Sequence, residues 1–316
     1  VFAPRSHRTV GIALGFVADV LLGDPRRGHP VAGFGTAAAR LEALTYADNR
    51  RAGVLHTGLL LGVLAALGWA AGRGDRAWVT AAATYVALGG TSLNRVGSQM
   101  ATLLQGDDID GARALLPSLC GRDPAALDAS GLTRATVESL AENTSDAQVA
   151  PLFWAAIAGV PGVLVYRGAN TLDAMIGHRS PRYTRFGWAA ARFDDVLNYL
   201  PARLTGVLAA VCAPIVDGSP RAALRAWRRD AARHPSPNAG VAEASFAGAL
   251  GLRLGGPTQY AHQLEIRPTL GDGRVPEVAD VARAVRLSRA VQLGAALVAV
   301  GISAACRSGR RSSPRR

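Results

Sequence analysis

The chain has 316 residues, 49% of them hydrophobic, 36 glycines and a mean hydropathy of +0.16, enough for one large or two ordinary domains and on the membrane side of the soluble average. All 35 basic residues are arginine, so the net charge of +12 is guanidinium charge, and chemistry that needs a P-loop or Schiff-base lysine is excluded. The arginines are interleaved with apolar runs, which argues against nucleic acid as a partner, and the scattered cysteines (Cys120, Cys212, Cys306) and unpaired histidines offer neither a disulfide framework nor a zinc site.

In chain order, residues 10–22 are apolar apart from Asp19 and fall short of the roughly 20 residues that cross a bilayer as a helix. G-D-P-R-R-G-H-P-V then breaks the helix with two prolines and gathers Asp24, Arg26, Arg27 and His29, a membrane-flanking turn or a substrate-facing loop. A helix follows from Ala32 to Tyr46. Segments 54–71 and 77–93 are uncharged runs separated by a short turn, which predicts a helical hairpin of two spans. The polar region 94–148 ends in E-S-L-A-E-N-T-S-D, where Glu138, Glu142 and Asp146 stand at i, i+4 and i+8 and so form one helical stripe of carboxylates. Segment 149–166 is apolar with a Pro161-Gly162 break, so it crosses crookedly or re-enters.

Region 167–203 is the densest in chemistry. It holds Asp173, Asp194, Asp195 and Asn198 with Arg179, Arg182, Arg185, Arg192 and Arg203. On a helix from Trp188 to Leu200, Asp194 and Asn198 share a face one turn apart, and Pro201 is expected to end that helix. Segment 204–216 is apolar but short. Region 218–289 is polar again and opens with the basic helix R-A-A-L-R-A-W-R-R-D-A-A-R, which suits a membrane surface or an anion. It continues through H-P-S-P-N-A-G, whose Ser236, Asn238 and Gly240 offer side-chain bonds and backbone amides to a phosphate, and a glycine-rich bend from Gly248 to Gly256. An amphipathic helix from Pro276 to Arg289, an apolar helix over 290–305 and a disordered arginine-rich tail complete the chain. Strands are hard to place anywhere. The reading is an all-α, polytopic helical membrane protein, a single integral membrane domain whose polar helical loops form the active site.

Carboxylates and an Asn carbonyl are the oxygen ligands Mg²⁺ prefers, and arginines grip phosphates or carboxylates in pairs. The residues therefore point to a magnesium nucleotide or another polyanion. The pattern D-D-V-L-N also has something of the Asp-rich motifs of intramembrane prenyl or phosphoalcohol transferases. A corrinoid transporter or scaffold, with intramembrane acids as an ion path, is the rival outside enzymology.

G-D-P with H-P-V, E-S-L-A-E-N-T-S-D-A-Q-V-A-P-L-F-W, N-T-L-D-A-M-I-G-H-R, A-R-F-D-D-V-L-N-Y-L-P-A-R-L-T, and H-P-S-P-N-A-G with A-G-A-L-G-L-R-L-G-G-P run from about Gly23 to Pro257 in an order that resembles the CobD/CbiB family of cobalamin biosynthesis, the adenosylcobinamide-phosphate synthases. The resemblance implies a multi-pass enzyme of the cell membrane with its active site on the cytoplasmic side. It implies a carbon-nitrogen ligase that joins adenosylcobyric acid to (R)-1-amino-2-propanol or its O-phosphate, with ATP as co-substrate and Mg²⁺ as cofactor. The partners it implies are these substrates, the lipid bilayer, and either a second copy of the chain or other enzymes of the pathway. Under this reading Glu142, Asp146, Asp173, Asp194 and Asp195 handle metal and amine, with Glu142, Asp146, Asp194 and Asp195 as metal ligands and Asn198 as ligand or orienter. Arg179, Arg182, Arg192 and Arg203 hold phosphates or the corrinoid carboxylate, and Ser236, Asn238 and Gly240 cradle a phosphate.

Overall fold

The computed structural model describes residues 6–25, 28–74, 76–178, 180–259 and 264–308; Arg26, Arg27, Arg179 and the arginine-rich tail lie outside them. The helices in order are α1 (Ser6–Leu22), α2 (Pro30–Thr45), α3 (Arg50–Gly72), α4 (Ala77–Ala87), α5 (Gly90–Gln105), α6 (Ile109–Leu115), α7 (Ala129–Thr144), α8 (Ala150–Leu172), α9 (Tyr183–Phe186), α10 (Trp188–Cys212), α11 (Pro220–Asp230) and α12 (Ala239–Leu250). A two-stranded antiparallel sheet, β1 (Leu254–Gln259) and β2 (Leu264–Leu270), precedes the last helix, α13 (Val278–Ser308). Among the described residues, four helical stretches are long and apolar enough to cross a membrane: Arg50–Gly72, Ala129–Gly177, Trp188–Val216 and Val278–Ala305. The protein is an all-α membrane protein with one small hairpin of strands among the described residues.

The chain folds as two compact units. One comprises the residues up to Gly89, Ala150–Asn198 and the segment from Ala296; the other comprises Gly90–Val149 and Tyr199–Ala295. In the first, α1 and α4 approach closely because Gly11 and Gly15 stand one turn apart. A Cβ on Gly11 would lie 2.5 Å from Thr80 Cβ and 2.6 Å from the Ala77 carbonyl, and one on Gly15 would lie 2.7 Å from Thr84 Cβ. Where lipid is as apolar as the side chains, such small-residue contact lets dispersion hold helices together. The core of this unit runs through Leu61, Tyr166, Leu172, Ile176, Phe186 and Leu197.

The second unit buries Met100, Leu132, Leu140, Phe246 and Leu287, and every residue of α12. Polar groups thread this core. Thr144 Oγ1 and Ser288 Oγ lie 2.6 Å apart, Gln292 Nε2 donates to Ser288 Oγ at 3.0 Å, and Asn94 Nδ2 donates to Gln292 Oε1 at 2.9 Å. The hairpin is bulged between Leu254 and Gly256, where Gly255 and Gly256 take φ of 86° and 93°, a left-handed conformation that a side chain disfavours.

Four expectations change. Segment 77–93 is not one span: Leu88 is extended (ψ 158°) and separates α4 from α5, and the 11 residues of α4 reach only about 17 Å. Pro161 does not break α8. The break is at Gly159 (φ 66°), two residues earlier, so the proline falls in the first turn of the resumed helix, where its missing N–H costs nothing. Pro201 does not end α10 either. A proline there leaves the Leu197 carbonyl without its i+4 donor, and the indole Nε1 of Trp154 supplies one at 3.0 Å, so α10 runs on to Cys212. Finally, the Gly248–Gly256 bend is the end of α12 followed by β1.

The α1–α4 contact is testable by glycine replacement. Gly11→Ala is expected to lower stability by about 1–3 kcal/mol, since its Cβ meets backbone as well as side chain. Gly62→Ala in α3, where nothing lies within 4 Å, should leave stability unchanged or raise it through helix propensity. Thermal unfolding in detergent measures both, and equal midpoints for the two variants would remove the close approach as a source of stability.

Candidate active site

In the first unit a carboxylate is held between two carboxamides. Asp194 on α10 accepts from Asn198 Nδ2 at 2.9 Å, one turn along the same helix, and from Asn170 Nδ2 on α8 at 3.5 Å. Tyr166 OH donates to Asn198 Oδ1 at 2.9 Å, and Arg167 Nη1 to Asn170 Oδ1 at 3.5 Å. Tyr166 and Asn198 are fully buried, so the orientation of each amide is set by the hydroxyl and guanidinium behind it. Asn198 thus uses both ends of its amide inside the protein: its NH₂ donates to Asp194 and its Oδ1 accepts from Tyr166.

Asp173 lies close enough for its charge to act on Asp194. It opens the π-helical turn Asp173–Gly177 at the end of α8, and its Oδ1 lies so near the Gly177 α-carbon that any side chain there would collide with it. Asp195 serves differently from its neighbour. Consecutive residues on a helix point about 100° apart, and Asp195 turns to Arg192 at 3.3 Å. Arg182 is engaged as well: its Nε and Nη2 donate to Glu42 at 3.1 and 2.8 Å, Tyr183 OH donates to the same carboxylate at 3.1 Å, and the guanidinium lies over the Tyr46 ring, contacts that tie α2 to the start of α9.

The second unit holds Glu142, Asp146, Arg203, Ser236, Asn238 and Gly240. Asp146 lies in another π-helical turn, Ser145–Val149, which directly precedes α8. Arg203 Nη1 donates to Asn238 Oδ1 at 2.9 Å, and its guanidinium stacks on Tyr199. At H-P-S-P-N-A-G, where a phosphate cradle is expected, the turn makes several hydrogen bonds within itself. Ser236 Oγ accepts from the N–H of Asn238 and Ala239 at 3.3 and 3.1 Å, and the Gly240 N–H goes to the Ser236 carbonyl at 3.4 Å. This turn caps α12.

Besides Glu142 the second unit carries further charged groups, of which Glu243, His234 and Arg267 are not among the expected site residues. Glu138 is buried and doubly bound, by Arg122 and by the Gly255 N–H at 2.7 Å, so it fastens α7 to β1. Glu243 on α12 is fully buried, its Oε1 without a hydrogen-bond donor. Burial first, then the nearby Glu138 and Glu142 carboxylates, push its carboxyl well above the usual range, against the opposing charges of Arg267 and Arg122. His234 Nε2 lies 3.7 Å from Glu243 Oε1, but this is no ion pair. Arg267 Nη1 stands 3.2 Å from His234 Nε2, and a guanidinium only donates, so Nε2 accepts there, while Nδ1 accepts from the Ser236 N–H at 3.1 Å and lies 3.1 Å from the Ser236 carbonyl. Burial and the Arg267 charge lower the His234 pKa to about 4. A lone acid inside V-A-E-A-S-F was the visible signal for Glu243; its partners come from β2 and the 234–238 turn.

Among the described residues no group of three or more His, Cys, Asp or Glu side chains is arranged to hold a metal ion. Of the four expected metal ligands, Asp194 and Asp195 belong to the first unit and Glu142 and Asp146 to the second. Within the first unit, Asp194 and Asp173 present two hard oxygen donors on neighbouring segments. This matches the habit of Mg²⁺, which takes one or two carboxylates and completes its shell with water and substrate phosphates.

The family model described as CobD/Cbib protein matches residues 12–288. "Cobalamin biosynthesis protein CobD" of Mycobacterium tuberculosis (strain ATCC 25618 / H37Rv) is 66% identical over 297 residues, covering 93% of this chain and 95% of that protein. Proteins of the same name from Chromobacterium violaceum (41% over 298 residues, 90% and 94% covered) and Rhodobacter capsulatus (42% over 306 residues, 91% and 94%) are also similar. No solved structure matches the chain.

The neutral state of His234 has a pH signature. With a folded pKa of about 4 against 6.5 for a free imidazole, the unfolded chain takes the proton first, so this residue's contribution is complete above pH 6.5 and lost as pH falls toward 4. His234→Gln should flatten the fall of the unfolding midpoint between pH 6.5 and 4.5. Parallel wild-type and variant curves over that window would show that His234 is not held neutral.

Proposed function

The chain belongs to the CobD/CbiB family of cobalamin biosynthesis, and from that membership we propose that it is the membrane ligase joining adenosylcobyric acid to (R)-1-amino-2-propanol or its O-phosphate at the expense of ATP. The product is adenosylcobinamide or its phosphate, formed on the cytoplasmic side, where ATP is found. The observation that supports the reading within the structure is the buried Asp194 carboxylate, held by Asn170 and Asn198 beside Asp173.

A free carboxylate is a poor electrophile with a poor leaving group. Transfer of the γ-phosphoryl group to a corrinoid carboxylate oxygen breaks the γ-phosphorus bond to ADP and makes an acyl phosphate. The amine lone pair then attacks the acyl carbon, the C–N bond forms, inorganic phosphate leaves with the C–O bond electrons, and the nitrogen gives up a proton to a base. Bound Mg²⁺ supplies charge neutralisation at the phosphates. In this reading Asp194 and Asp173 hold it, and the Asn170 and Asn198 amides keep Asp194 in place.

Arg192, carried on α10 with Asp194, binds an anionic end of a substrate.

The test incubates the purified protein in detergent with adenosylcobyric acid, Mg-ATP and either amine, and follows amide and ADP by mass spectrometry. Amide without nucleotide consumption would refute the acyl-phosphate route, and no amide with either amine would refute the ligase. Asp194→Asn keeps the shape but loses the charge; turnover is expected to fall about a hundredfold or more while the unfolding midpoint stays close to wild type. Near-normal turnover would remove Asp194 from the site.

A further inference from the structure

The basic helix α11 has no part in the chemistry above. Its Ala223, Ala226 and Asp230 are buried against the second unit, and on the opposite side Arg221, Arg225 and Arg228 stand exposed at i, i+4 and i+7. These three make no ion pair or hydrogen bond among the described residues. Asp272 acts on Arg225 only through space, and its carboxylate is bound by Arg229 at 2.7 Å. With Leu224 and Arg229 they line a cleft of about 500 Å³.

What sits beside this cleft follows from α10. The stretch Trp188–Val216 is long and apolar enough to span a membrane, and in its last part Val207, Val211 and Ile215 are exposed at i, i+4 and i+8, an apolar stripe that water would penalise and lipid would not. Only three residues separate the end of that stretch from α11, and they are tightly folded. Asp217 is left-handed (φ 56°), the Gly218 N–H bonds the Ala213 carbonyl at 2.9 Å, and Ser219 caps α11 by accepting from the Ala222 N–H at 3.3 Å. At no more than about 3.6 Å per residue, α11 starts within about 15 Å of the end of the stretch.

We propose that α11 is a docking surface for anionic phospholipid headgroups, with Arg221, Arg225 and Arg228 gripping the phosphates and Leu224 resting on the upper acyl chain. Arginines donate in pairs to phosphate oxygens, and each basic side chain near an anionic surface adds appreciable attraction, so three unpaired guanidiniums on one stripe at the end of a span suit that partner. The inference rests on the protein being a membrane protein and not on the ligation reaction.

The experiment uses the full-length protein, delipidated in neutral detergent and titrated with phosphatidylglycerol, phosphatidylcholine or inorganic phosphate, with retained lipid read by native mass spectrometry and stability by thermal unfolding. Wild type is expected to prefer phosphatidylglycerol by roughly tenfold, with a raised unfolding midpoint and no response to inorganic phosphate. The triple variant Arg221→Gln, Arg225→Gln, Arg228→Gln should lose most of that preference, the corresponding triple Lys variant should keep much of it, and both should retain amide-forming activity in detergent. No preference in wild type, or the same preference in the Gln variant, would overturn the proposal. A midpoint shift with inorganic phosphate in wild type that vanishes in the Gln variant would also overturn it and give the cleft to a soluble anion.

Discussion

The first unit holds one carboxylate in place where water is scarce. Burying an acid among apolar helices is costly unless its oxygens find donors, and Asp194 finds them in two carboxamides, one from its own helix and one from α8. Each amide is fixed by a further group, Tyr166 behind Asn198 and Arg167 behind Asn170. The chain of partners makes the carboxylate's position a property of two helices. A side chain on a loop would lose it with the loop. That rigidity is what a metal-binding or charge-recognising group needs before substrate arrives.

The same region shows why its two acid-bearing motifs flank one apolar helix. Both E-N-T-S-D and N-T-L-D end in π-helical turns, Ser145–Val149 before α8 and Asp173–Gly177 after it, and each turn carries an acid in its first two positions. A π-turn widens the helix and re-aims the residues around it, an arrangement that recurs at functional sites because it is retained only where something gains from it. Helix α8 can therefore keep an apolar middle and a kink at Gly159 while both of its ends present polar groups.

Reading the residues found the helical class and several apolar stretches, because long uncharged runs are a local property. Where a contact distant in sequence decided the outcome, local rules failed. Pro201 looks like a stop, yet the Trp154 indole satisfies the carbonyl that the proline abandons, and nothing near residue 201 announces this. The hairpin Leu254–Leu270 was illegible for the opposite reason: its glycines and prolines have the composition of a turn, and two left-handed glycines turn out to be its bulge. Candidate acids could be named from sequence, but their duties could not. Asp194 and Asp195 are neighbours in the chain and face different partners, and Glu138 and Glu142 share a stripe while only Glu138 is clasped by Arg122.

The arginines show how far composition can carry an argument. A net charge of +12 invites the idea of a polyanion, but many guanidiniums are internal struts: Arg122 on Glu138, Arg182 on Glu42, Arg229 on Asp230 and Asp272, Arg274 and Arg283 on Asp280. A planar group with five donors can bind a carboxylate and a backbone carbonyl together, as Arg283 does with Asp280 and the carbonyls of Leu250 and Val216. A lysine ammonium, compact and more strongly hydrated, would replace such a strut poorly. The absence of lysine therefore reads as structural as well as compositional. Only after these struts are subtracted does charge indicate a partner, and the face of α11 is one place where, among the described residues, unpaired guanidiniums stand in register.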